Sequence, residues 1–143
     1  MTMLTRSGIS QGTKGRQHGG TMVEAAMIGV VLLVTVFGIM EFGRMVWSYT
    51  VICHGAREAT RYAMVRGNNS GNLATEAKIK AVVTGQTIGL KKTNVTTTVT
   101  FNPNQNAGSY VKVKVAYNIS PLGPYLPIGP LTLQSTSEMR IIQ

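Results

Sequence analysis

Few residues in this chain can do chemistry. All five acids are glutamates (Glu24, Glu41, Glu58, Glu76 and Glu138), and aspartate is absent. The histidines, His18 and His54, do not complete a ligand set at metal-binding spacing, so no metal site is read. The single cysteine, Cys53, allows neither an internal disulfide nor a Cys-based cluster. No nucleophile–base pair stands out, so no enzyme and no cofactor are expected. One carboxylate is out of place. Glu24 opens the stretch 25–40, AAMIGVVLLVTVFGIM, which has no charge and one polar residue, Thr35. An ionised group in hydrocarbon costs about 2.5–3.5 kcal/mol at mid-span and less toward the interface. A carboxylate so placed calls for a cation. Gly19 and Gly20 lie just before it. A cut between them would make Gly20 a new amino terminus, with Glu24 fifth in the shortened chain. The amine of one subunit would then meet Glu24 of a neighbour and set the stagger of packed helices. Such a pair contributes to register more than to net stability.

The element that must hold Glu24 is a helix. Sixteen residues rise about 24 Å, short of a hydrocarbon core of about 30 Å. A transmembrane segment of about 22–45 is long enough, with Glu24 and Glu41 near its edges. A buried core helix is the competing reading, but the run is apolar all round, as a span is. No proline interrupts residues 41–66. There Phe42, Val46, Tyr49, Cys53, Ala56, Thr60 and Ala63 recur at steps of four and three, predicting one buried stripe, with Arg44, Glu58, Arg61 and Arg66 off it. The expectation is one continuous helix over 20–66, its first half in lipid and its second half amphipathic, ended by Gly67 and the run Asn68–Gly71.

Residues 67–143 predict a small α+β domain. The segment 73–83 suits a short helix capped by Thr75 or Asn72. Val95, Thr97, Val99 and Phe101 alternate with threonines, and Val111, Val113, Val115 and Tyr117 alternate with Lys112, Lys114 and Ala116. These are period-two strands, and the turn formers of 102–109 make them a hairpin. A connection holding Pro121, Pro124, Pro127 and Pro130 follows. Leu133, Ser135, Ser137, Met139 and Ile141 then share one face of a third strand. Three antiparallel strands need a cover, and the amphipathic half of the long helix is the obvious one.

Charge sets the orientation. Only 13% of residues are charged, against about 25% usually, yet the net charge is +9. The cations form no block with interleaved aromatics, so nucleic-acid binding is not expected. Arg6, Lys14 and Arg16 stand in residues 1–19, a basic leader without acids. The positive-inside rule keeps that end in the cytoplasm and sends the soluble domain across, which in a bacterium is the periplasm. A secretory signal peptide fits the charge and the apolar run, but no Ala-x-Ala-like site follows, so an uncleaved anchor fits better. Glu41 with Arg44 has two readings: plain i,i+3 helix support, or a membrane boundary marked with Trp47 and Tyr49 at the interface. Cys53, on the stripe, is read as a buried small residue rather than a reactive thiol.

The string Gly19-Gly20-Thr21-Met22-Val23-Glu24, between a basic leader and an apolar helix, resembles the processing site of type IV prepilins. With Phe37–Arg44 and Ala56–Ala63 added, the chain resembles the TadE-like pseudopilins of the tight-adherence (Flp) pilus system. A Val-x-Val-x-Val strand, a Pro-rich connection and the ending Glu138-Met139-Arg140 extend the resemblance to about residues 15–143. It implies a membrane-anchored minor pilin of the bacterial inner membrane, needed for pilus assembly. It further implies a prepilin peptidase acting at Gly19, Glu24 as the assembly glutamate, and other pilin subunits, the assembly machinery and membrane lipid as partners. Gly20 stands where many type IV pilins have an N-methylated phenylalanine. The alternative is an unprocessed single-span periplasmic interaction module that enters no pilus.

Overall fold

The apolar run and the segment after it form one helix in the computed structural model, which describes residues 18–120 and 129–142. This helix, α1, spans His18–Met64. Its start lies two residues before the expected Gly20. The leader residues 1–17 and Pro121, Pro124 and Pro127 lie outside the described residues. The chain divides into two compact units, Met1–Ile39 and Met40–Gln143.

In the first unit every large apolar side chain of α1 from Met22 to Ile39 is exposed. A helix satisfies its own backbone groups, which hydrocarbon cannot do for it. The one polar side chain in the run does likewise: Thr35 Oγ1 donates to the carbonyl of Val31 at 2.8 Å.

The second unit is α+β, as the alternation predicts. A short helix α2 (Glu76–Gln86) precedes three strands, β1 (Val95–Asn102), β2 (Tyr110–Ile119) and β3 (Leu131–Arg140). The sheet order is β1-β2-β3, all antiparallel. Val99 pairs with Val113 and Val113 with Ser137, so the inward rows run in register across the sheet. Thr75 is the N-cap of α2, its hydroxyl accepting from the Lys78 amide, while Asn72 accepts from Lys78 Nζ. Asn104 organises the hairpin loop, accepting from the Asn106 amide and the Ser109 hydroxyl.

The core lies between helices and sheet. Ile52, Ala56, Ala59 and Ala63 of α1 meet Ile79 and Val83 of α2, Val111, Val113, Val115, Tyr117 and Ile119 of β2, and Ile141. Small α1 residues let backbones approach. A Cβ at Gly55 would lie 3.6 Å from Thr87 Cγ2 and 3.8 Å from the Val83 carbonyl. Thr60, fully buried, donates to the Ala56 carbonyl at 2.7 Å. Its hydroxyl also lies 3.4 Å from the Ser137 carbonyl of β3.

Two expectations are corrected. The predicted stripe holds at Ala56, Thr60 and Ala63 but fails earlier, where Phe42, Val46 and Tyr49 are exposed and Cys53 is half-buried. The buried face there is Glu41, Ser48 and Ile52, roughly a quarter turn around the helix. Apolarity marks any surface hidden from water, and this part of α1 places its smaller side chains, not its largest, against the sheet. The helix also ends at Met64, two residues before the expected residue 66. The φ of Gly67 is −73°. The Arg66 amide bonds the Ala63 carbonyl, and the Asn68 amide leaves for the Gln105 carbonyl.

Candidate functional site

Gly19 and Gly20 lie in the first turn of α1, exposed, with nothing within 4 Å of an added Cβ. The first four amides of a helix lack intrahelical partners, so this bond sits in its least secured turn. Glu24 follows one turn later, exposed. Its carboxylate makes no ion pair with any described residue. From there the helix is apolar and open. An 18-residue window reaches a mean hydropathy of 2.4 with none of it buried. Among the described residues this is one helix long and apolar enough to cross a membrane. A buried core helix would have that window covered, so the competing reading of the run is not what the structure shows.

The second unit opens with a buried charge. Glu41 is 5% exposed. Arg44 meets it as a fork, Nη2 to Oε1 at 2.5 Å and Nε to Oε2 at 3.2 Å. The same Nη2 donates to the carbonyl of Ser120, past the end of β2. One turn on, the Ser48 hydroxyl is buried and returns to the Arg44 carbonyl at 2.9 Å. Glu41 and Arg44 are therefore more than an i,i+3 pair on a helix surface: they tie α1 to the end of the central strand. Ser120, 76 residues from Arg44 in sequence, carried no local signal that would reveal this.

Trp47 is half exposed, and its ring lies over Gly89, where an added Cβ would come within 2.6 Å of Cη2. Tyr49 is exposed beside Cys53. The Tyr49 hydroxyl titrates above its ordinary value, first through its hydrogen bond with Cys53 and then through charge on that sulfur, with Arg57 opposing. His54 is exposed on the same helix. No group of three or more His, Cys, Asp or Glu that could hold a metal occurs among the described residues.

The structure therefore presents two separate sets. Gly19, Gly20 and Glu24 belong to the open apolar part of α1. Glu41, Arg44 and Trp47 belong to the sheet unit. Comparison with known proteins addresses the helix. The family described as TadE-like protein matches residues 19–61. The match covers the Gly-Gly, Glu24 and Glu41–Arg44 strings and most of the third block, and it stops before the sheet. No curated protein and no solved structure matches the chain. Residues 19–61 are thus similar to TadE-like proteins, and they include most of a helix long and apolar enough to span a membrane.

Proposed function

We propose, from the premise that the chain is TadE-like over residues 19–61, that it is a non-enzymatic, membrane-anchored, minor-pilin-like subunit for assembling a Flp (tight-adherence) pilus. The observation that carries this reading is the open face of α1. An apolar helix, uncovered from Met22 to Ile39, is entered past one carboxylate with no ion-pair partner among the described residues. Lateral packing against pilin helices or lipid covers the apolar surface. A cation from a neighbour, the Gly20 amine after removal of residues 1–19, meets Glu24 and fixes axial register. A prepilin peptidase makes that cut on the cytoplasmic side, where Arg6, Lys14 and Arg16 hold the leader. The sheet unit stands in the periplasm as the surface for other pilus components.

The test is Glu24→Ala in a host that builds the pilus. Membrane insertion is expected to persist, because removing a charge favours it, while pilus assembly and co-purification with the major pilin are lost. Normal pili from that variant would remove Glu24 from the mechanism. Failure of the unaltered protein to co-purify with pilins would leave only a singly anchored module.

A further inference from the structure

One end of the sheet unit holds an apolar turn and two cations that the reading above leaves unused. Between α2 and β1 the chain runs Thr87-Ile88-Gly89-Leu90-Lys91-Lys92. Thr87 and Leu90 are buried and fasten the turn to the core, while Ile88 between them is 77% exposed. The turn is held to α1 by Gly89, whose φ of +83° and contact with the Trp47 ring leave no room for a side chain. Lys91 and Lys92 follow, exposed. Neither makes an ion pair among the described residues. The chain enters this unit at Met40, directly from the apolar run, and Trp47 is two helical turns farther, about 10 Å of rise.

We propose that the Ile88 turn is a second membrane contact, in which Ile88 and Trp47 enter the bilayer interface and Lys91 and Lys92 bind the phosphates of anionic phospholipid headgroups. The inference rests on the reading of α1 as a membrane span. Turn geometry requires Gly89 and uses Leu90 as an anchor, but gives Ile88 no structural task that a polar residue would not perform. Tryptophan favours the headgroup level of a bilayer, and lysines close behind an inserted apolar tip are drawn to anionic lipid. A single helix would leave the sheet unit free to rotate about it. This second contact fixes which side of the unit meets the membrane.

The experiment uses the full chain with Cys53→Ser, so that one introduced cysteine carries a polarity-sensitive dye. Ile88→Cys, Val31→Cys and Thr98→Cys are labelled and reconstituted into vesicles of phosphatidylglycerol and phosphatidylcholine, or of phosphatidylcholine alone. On anionic vesicles the dye at 88 is expected to be shielded from iodide and quenched by lipids brominated near the headgroup, while the dye at 98 remains open to iodide. Lys91→Gln and Lys92→Gln should each lower the docked-to-free ratio at 88 about fivefold. The dye at 31 should be quenched by deeply brominated lipid in both vesicles. Quenching at 31 with full iodide access at 88 overturns the contact and leaves the span standing. Loss of quenching at 31 overturns the span and the inference with it. Equal shielding at 88 on both vesicle types removes the headgroup role. Shielding that follows protein concentration instead of brominated lipid assigns the turn to a second copy of the chain and overturns the proposal.

Discussion

Arg44 donates through Nη2 to the carbonyl oxygen of Ser120, joining α1 to the end of β2 across 76 residues of sequence. The same nitrogen holds Glu41, whose carboxylate is almost wholly buried. The two partners are unequal. Arg44 keeps 29% of its side chain exposed and has a second acceptor, whereas Glu41 keeps 7%.

That inequality predicts an asymmetric pair of variants. Arg44→Ala strands a buried carboxylate and should destabilise the sheet unit by about 2 kcal/mol, below the full cost of breaking a buried pair because Arg44 is partly solvated. Glu41→Gln leaves Arg44 with Ser120 and water and should cost about 1 kcal/mol. Denaturant unfolding of the detergent-solubilised full chain measures both, and equal losses would contradict the assignment of Glu41 as the buried partner.

Gly89 is tested by Gly89→Ala. A non-glycine residue at φ +83° costs about 1–3 kcal/mol, and the added Cβ also meets the Trp47 ring at 2.6 Å. Trp47→Ala in the same chain should recover the steric part of the loss and not the conformational part. Since Trp47 is the one tryptophan, its emission in the single variant should shift as the ring is displaced. Unchanged emission and stability would mean the ring and the turn are not in contact.

Helix α1 should respond in opposite ways along its length. Ala59 is fully buried, and Ala59→Leu should cost about 1–3 kcal/mol by overpacking. Leu33 is 58% exposed, and Leu33→Ala should leave unfolding of the sheet unit unchanged while weakening partition into bilayers by roughly 1–2 kcal/mol. Comparable destabilisation of the sheet unit by both variants would contradict the division of α1 between two environments.

Processing has a direct readout. The membrane-extracted protein from a host with an active prepilin peptidase should have the intact mass of residues 20–143, and Gly19→Leu should restore the full-length mass. Full-length mass in the unaltered chain would refute the cut and, with it, the Gly20 amine as the partner of Glu24.

Much of the architecture was legible before any coordinates. The apolar run, the absence of proline to Arg66, the threonine cap at Thr75 and the alternating valines of β1 and β2 each follow from local periodicity. The rotation of α1 did not. Phe42, Val46 and Tyr49 were read as facing the core because they are apolar, and they face outward. Glu41 and Ser48, polar and outside the predicted stripe, are buried. A hydrophobic pattern measures avoidance of water, which lipid, a sister subunit and a core all provide. Where a helix borders two such environments, the pattern alone cannot assign its faces.

The sequence by itself determined the helix, the three strands and their inward faces, and the lone carboxylate at the entrance to the apolar run. These depend on residue types a few positions apart, at the helical and strand periods. Only the tertiary structure decided which side of α1 meets the sheet, that Arg44 reaches Ser120, and that Trp47 rests on Gly89. Those contacts join residues far apart in the chain, and their geometry exists only once the strands have paired and the small residues of α1 have let the helix close on them.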